Sequence, residues 1–198
     1  MTRIVSGFAG SLTLKVPKQG TRPTSDRVRE AIFSALEARD AIAGLRVLDL
    51  YAGSGSLGLE AASRGARVVT LVEKNPQAAA LCRANATAVT RAAPGRSAPQ
   101  ITVSGQSVQS FLDGTNAGFD LVFIDPPYEL GEAELAQNLA ALAPKLHELA
   151  VVMVERSSRS PEPLWPAGLE LDRRKDYGDT TLWWAAPGAD DSAEPTGH

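Results

Sequence analysis

From residue 47 to residue 154 short apolar runs alternate with segments of helical spacing, and this alternation restricts the fold more than any other feature. Val47-Leu48-Asp49-Leu50, Val68–Val72, Ile101–Val103, Phe119–Ile124 and Ala150–Val154 read as strands. Ser56–Arg64, Pro76–Arg91, Val108–Leu112 and Glu132–Leu142 read as the helices between them. The run Phe119–Ile124 is apolar except for Asp120, the pattern of a strand covered on both faces. Repeated strand–helix units predict a parallel sheet with helices on both sides, an α/β fold. Leu169–Lys175 and Thr180–Trp184 flank Tyr177-Gly178-Asp179 and predict a terminal antiparallel hairpin. Alternation along that last strand puts one of Trp183 and Trp184 in the core and the other nearer solvent.

Ahead of the repeat, residues 3–16 alternate loosely around Gly7 and Gly10 and suggest a small β-hairpin arm. Residues 17–25 are rich in turn formers, and Ser25 or Asp26 can cap a helix whose apolar face is Val28, Ile32, Phe33 and Leu36. The expected organisation is an arm and loop over 1–25, one α/β domain over 26–186 and a flexible polar tail over 187–198. Cys82, the single cysteine, lies among alanines of a helical pattern and reads as a buried or half-buried thiol in a reducing compartment. No metal is expected, because Cys82 has no Cys or His companions at ligand spacing. No apolar run has membrane-spanning length and the N-terminus lacks a signal-peptide core, so a soluble cytoplasmic protein is expected.

Net charge is −3, but it is unevenly spread. Arg3, Lys15, Lys18, Arg22, Arg27 and Arg29 leave residues 1–30 with a balance of +4 and the rest with −7. A basic segment on an acidic body suits either a localised phosphate-binding surface or an ordinary solvated segment.

Three motifs carry the chemistry. Leu48-Asp49-Leu50-Tyr51-Ala52-Gly53-Ser54-Gly55-Ser56-Leu57-Gly58 joins a strand to a helix at the carboxyl edge of the sheet, where ligands of open α/β sheets bind. Its glycines permit a tight turn and close approach, and the helix N-terminus favours a carboxylate or phosphate. Gly53, Gly55 and Gly58 also match the G-x-G-x-x-G pattern of dinucleotide sites, which leaves an NAD-dependent oxidoreductase open. Asp49, four residues before the first glycine, would repel a pyrophosphate but attract an ammonium. A ligand with both a carboxylate and an amine fits S-adenosylmethionine. Glu73, followed by Lys74, ends the second strand and can accept from ribose hydroxyls, a role that NAD would share. Gln106 or Ser107, after the third strand, could reach an adenine, although Ser107 can equally cap the next helix.

The third motif, Asp125-Pro126-Pro127-Tyr128, discriminates most. Consecutive prolines cannot continue a central strand, so the chain must turn out of the sheet there. A ring-conjugated amine is a poor nucleophile because its lone pair is delocalised. Acceptors at Asp125 and at the Pro126 carbonyl can hold both N–H groups and free that lone pair, while Tyr128 offers a stacking face. The base must then leave its own stack. A non-catalytic RNA-binding module explains the basic arm but not these motifs.

With these residues in view, the chain resembles the bacterial 16S ribosomal RNA guanine-N2 methyltransferases of the RsmD type over about its first 185 residues. The shared segments are Arg3–Gly7, Arg22–Glu30, Asp49–Glu60, Ser63–Ala66, Asp125–Tyr128 and Tyr177–Thr180. The resemblance implies a Rossmann-like class I S-adenosylmethionine-dependent methyltransferase fold. It implies methylation of the N2 amine of guanine 966 in 16S rRNA of the assembling 30S subunit, by a monomer. Cofactor contacts are implied at Asp49, Tyr51, Ala52, Gly53, Gly55, Glu73, Lys74, Gln106, Ser107 and Thr24. Where the family often has an acidic residue near the adenine, Gly105-Gln106-Ser107 stands here. The Asp125–Tyr128 corner alone leaves DNA adenine and protein glutamine open as acceptors.

Overall fold

The computed structural model describes residues 2–17, 25–95 and 98–188. A two-stranded antiparallel ribbon, β1 (Thr2–Arg3) with β2 (Thr13–Leu14), precedes helix α1 (Asp26–Glu37). Then follow β3 (Arg46–Leu50), α2 (Ser56–Ser63), β4 (Val68–Val72), α3 (Pro76–Ala92), β5 (Gln100–Ser104), α4 (Val108–Gly114), β6 (Phe119–Ile124) and α5 (Glu132–Leu142). A 3₁₀ turn (Ala143–Lys145) leads into β7 (Leu146–Ser157), β8 (Leu169–Tyr177) and β9 (Thr180–Pro187). The main sheet has the order β5-β4-β3-β6-β7-β9-β8. The first five strands are parallel, and β9 pairs antiparallel with both β7 and β8. The mostly parallel sheet with its terminal antiparallel hairpin is the one the strand–helix alternation predicts, and it is the Rossmann-like fold of class I S-adenosylmethionine-dependent methyltransferases that the resemblance implies.

Local chemistry accounts for the helix starts. The Ser25 hydroxyl accepts from Val28 N, and the buried face of α1 is Val28, Ile32, Phe33 and Leu36 with Arg29. Asn75 accepts from Gln77 N and Ala78 N, and Pro76 opens α3 with its φ already suited to a helix. Both faces of the sheet are covered. Val47, Leu121, Phe123, Met153 and Trp184 pack toward α1 and α2, whereas Leu48, Val122, Ile124, Val152 and Trp183 pack toward α4 and α5.

Two expectations change. Trp183 and Trp184 are both buried, because β9 lies inside the sheet between β7 and β8. Arg174 and Arg173, from edge strand β8, stack over their respective rings. Strand β7 runs well beyond Ala150–Val154, its outer parts being polar (His147, Glu148, Glu155, Arg156) and held by pairing rather than by apolar burial.

The break drawn at residue 25 does not separate two packing units. Val5 N and Ser6 N donate to the buried Glu60 carboxylate at 2.6 and 3.0 Å, and Ala9 N donates to Ser63 Oγ at 2.9 Å. Gly7 has φ +83°, and a Cβ there would lie 1.9 Å from Ser63 O, so only glycine permits this contact. Ile4, Ala9 and Leu14 join the core beside α1 and α2. The N-terminal ribbon is thus docked on α2. The tail residues 189–198 lie outside the described residues.

Candidate active site

The carboxyl ends of β3, β4, β6 and β7 open into one cavity of about 270 Å³. From the glycine-rich turn, Tyr51, Ala52 and Gly53 line it. Glu73 and Lys74 line it from the end of β4, and Asp125, Pro126, Pro127 and Tyr128 from the end of β6. These nine expected site residues therefore share one wall, and they come from three neighbouring strands.

The turn after β3 is strained where it meets the cavity. Tyr51 has φ +63°, a conformation that costs a non-glycine residue of order 1 kcal/mol or more. Its hydroxyl accepts from Asn138 Nδ2 on α5, and burial pushes the phenol up to about 12. Gly53 has φ +56° with open space where a Cβ would project, so a ligand can approach its backbone closely. Gly55 differs. A Cβ there would sit 3.0 Å from Cys82 Sγ and 3.1 Å from Leu59 Cδ1, so this glycine serves the packing of the turn and is not on the cavity wall. Cys82 itself is fully buried.

Two carboxylates hold this loop. Glu73 Oε2 accepts from Gly53 N at 2.9 Å and Oε1 from Asn75 N at 2.7 Å. These bonds fix the Glu73 carboxylate on the cavity wall and leave further lone pairs for a ligand. Asp49 accepts from Gly58 N at 2.8 Å and is only 1% exposed. Burial pushes its carboxyl up to about 7, against the Gly58 hydrogen bond and with the help of the nearby Asp125 and Glu73 charges. Asp49 thus lies beneath the loop rather than on the cavity wall. This corrects the expectation of an open carboxylate facing an ammonium.

The region after β5 also departs from expectation. Gln106 is exposed, with its Oε1 accepting from Ser104 Oγ at 3.2 Å, and Ser107 caps α4 by accepting from Ser110 N at 3.2 Å. Neither lines the cavity; Val108, the next residue, does. Thr24, Lys18 and Arg22 lie outside the described residues.

The basic N-terminal residues divide. Arg3, Lys15 and Arg27 are exposed. Arg29 is 1% exposed, donates to Arg3 O at 2.8 Å and pairs with Asp26 Oδ1 at 2.6 Å. Its guanidinium ties α1 to β1, so the expected RNA contact at Arg29 is replaced by a structural role.

Several wall residues escaped the sequence reading. Val16 and Pro17 bring the N-terminal segment to the cavity, and Glu155, Arg156 and Ser157 extend the wall along β7. Arg156 is buried, donates to Leu130 O at 3.1 Å and pairs with the Glu132 carboxylate, which anchors the chain leaving Tyr128. Asn85 on α3 accepts from Lys15 N at 2.9 Å and donates to Lys15 O and Ser54 O, joining the N-terminal segment to the glycine turn. Buried hydrogen-bonding side chains at helical spacing are the only sequence trace of such ties.

Residues 2–186 match the family described as conserved hypothetical protein 95. Ribosomal RNA small subunit methyltransferase D of Escherichia coli K12 is 35% identical over 177 residues, spanning 89% of this chain and 85% of that protein. The Haemophilus influenzae protein of the same name is 36% identical over 162 residues, spanning 80% of each chain. The solved structure of the Escherichia coli yhhF protein, a methyltransferase candidate, superposes with a TM-score of 0.80 at 32% identity, covering 94% of this chain and 98% of that one. The chain therefore belongs to the conserved hypothetical protein 95 family, the family of the RsmD-type methyltransferases.

Proposed function

We propose that the chain transfers a methyl group from S-adenosylmethionine to the exocyclic N2 amine of a guanine, position 966, in 16S rRNA of the assembling small subunit, acting as a monomer. The observation that carries this reading is the single cavity shared by the Gly53–Glu73 wall and the Asp125–Tyr128 corner. An oxidoreductase would have no use for that corner, and among the described residues no helix is long and apolar enough to cross a membrane.

The residues present suit the cofactor. Gly53 is open to close approach, Glu73 presents a fixed carboxylate suited to ribose hydroxyls, and Val72 and Val108 supply apolar wall. When bound, S-adenosylmethionine supplies an electrophilic sulfonium methyl. The chain's own work is positioning. The Asp125 carboxylate and the Pro126 carbonyl accept the two N–H groups of the amine and turn its lone pair toward the cofactor side of the cavity. Tyr128, 66% exposed at the lip, stacks on a base that has left its own helix. Holding two reactants in line in this way can supply several kcal/mol of barrier lowering without covalent chemistry. Arg3, Lys15 and Arg27 are the described cations assigned to RNA phosphates. Lys15 directly precedes the wall residues Val16 and Pro17.

The test is methyl transfer to small subunits lacking the modification, followed by mass mapping of the product nucleoside. N2-methylguanosine at one position is expected. Methyladenine, or transfer to protein, would reject the assignment. Asp125→Ala should reduce transfer at least about 100-fold while calorimetry still detects cofactor binding, and full activity in this variant would refute the role of Asp125.

A further inference from the structure

Strand β7 ends beside the amine-holding corner. The last register pair of β6 and β7 is Ile124 with Val154, so Asp125, the first residue past β6, and Glu155, still within β7, follow at the same level. Neighbouring strands lie about 4.8 Å apart. Phe123 and Met153, two residues earlier and paired with each other, pack on the α1–α2 face of the sheet. Strand alternation directs the two carboxylates to that same face. Both line the cavity together with the Pro126 carbonyl segment and Tyr128.

We infer that Glu155 reads the base, accepting the N1–H of the target guanine next to the amine held by Asp125. The inference rests on the function proposed above and adds the selection of guanine over other amine-bearing bases. Guanine presents an N2 amine and an N1–H side by side, two donors on one edge. Adenine presents an N6 amine beside an unprotonated N1, an acceptor. Two carboxylates at neighbouring strand ends match the first pattern. With adenine, an anion faces a lone pair, and a desolvated polar mismatch of this kind is strongly rejected. Glu155 has interactions within the chain, yet a carboxylate offers about four lone-pair positions, enough for an internal partner and a base. Ser157 and Thr180, paired in register and on the same wall, carry hydroxyls of the donor type that guanine O6 requires.

The experiment compares small subunits reconstituted with 16S RNA carrying guanine or 2-aminopurine at the target position. 2-Aminopurine keeps the exocyclic amine but has no proton on N1. The full chain, E155Q and E155A are assayed for methyl transfer, with the cofactor-induced rise in Tm as the measure of an intact fold. The unaltered chain is expected to favour guanine by at least about 100-fold in kcat/KM. E155Q, whose amide can donate to N1, should lose at least about 10-fold on guanine and narrow the preference to within about 3-fold. E155A should lose activity on guanine with little change on 2-aminopurine. An unchanged preference in E155Q, or equal loss on both RNAs, would overturn the role of Glu155. Absence of transfer to guanine by the unaltered chain would instead reject the underlying function, and the base reading with it.

Discussion

Replacing Asp49 by asparagine removes a carboxyl that the fold holds in an unfavourable state. Asp49 is buried beneath the glycine turn, and its value rises from an ordinary 3.8 to about 7. The folded chain keeps this proton up to about pH 7, whereas the unfolded chain releases it near pH 3.8. Between those values the folded state binds more protons, so the contribution of Asp49 to stability falls as pH rises, and it levels off above about pH 7. The full span amounts to about 4 kcal/mol, of which about 3 kcal/mol lies between pH 5 and pH 8. In Asp49→Asn the amide oxygen can still accept from Gly58 N, but the buried amide N–H groups cost about 1–3 kcal/mol if unpaired. The variant should therefore be as stable as the unaltered chain or about 1–3 kcal/mol more stable at pH 8. At pH 5 it should lose that advantage. Urea unfolding of both chains from pH 5 to pH 8 measures this, because groups that do not interact with Asp49 contribute to both alike and the difference in slope reports Asp49 together with its coupling to Asp125 and Glu73. Parallel pH profiles would refute the buried, protonated carboxyl. A difference of opposite sign would mean that Asp49 is ionised and stabilised by a partner.

Two further substitutions test the ties that shape the cavity. Asn85→Ala removes three hydrogen bonds from a residue only 2% exposed and should cost about 3 kcal/mol in urea unfolding, with faster proteolysis confined to residues 2–17. Unchanged proteolysis would show that Arg29, Glu60, Ser63 and the buried Ile4, Ala9 and Leu14 hold the segment without Asn85. Arg156→Met should cost about 2 kcal/mol, less than a fully buried pair would, because the Glu132 left behind is 34% exposed and remains solvated. It should lower kcat for methyl transfer with little change in cofactor affinity, since Arg156 anchors the exit from the Asp125–Tyr128 corner and not the glycine turn. A KM effect for cofactor without a kcat effect would place its influence elsewhere.

The parts legible in the sequence were those that local chemistry decides. Strands β3, β4 and β6 are apolar within a few residues and bounded by turn formers, and their limits agree with the structure to within one residue. The Gly53 turn and the Pro126-Pro127 corner break regular structure in ways that no other context can override, so both loops were identifiable, and sheet topology then set them side by side. Periodicity is blind to polar residues held by pairing. The apolar run of β7 stops at Val154 because Glu155 and Arg156 are charged, so the part of the strand that lines the cavity carries no periodic signal. Asp49 and Arg29 show the complementary error. A carboxylate before a glycine turn and a cation in a basic run suggest contact with ligands, but burial is not encoded locally. Both side chains are consumed by the backbone they support.

That support explains how a basic N-terminal segment can keep a fixed position relative to the cofactor loop. Helix α2 is only eight residues long, and it is held at both ends. Asp49 accepts Gly58 N near its start, whereas Glu60 and Ser63 bind Val5, Ser6 and Ala9 near its finish. Asn85 then ties Lys15 to Ser54, within the glycine turn that precedes the same helix. The ribbon, the helix and the turn therefore share one set of buried hydrogen bonds. Displacing the ribbon would take Val5 N and Ser6 N from the Glu60 carboxylate and leave it with Arg64 Nε, at 2.7 Å, and incoming water, so the two lost charge-assisted bonds set the cost at about 1.5–3 kcal/mol each. Rigid docking of this kind suits the selection of one base proposed above. The phosphate contacts proposed for Arg3 and Lys15 would carry no sequence information of their own. On a floating arm they would only raise local concentration. On a docked ribbon, the contacts proposed for Lys15, which adjoins the wall residues Val16 and Pro17, would keep a constant distance from the cavity.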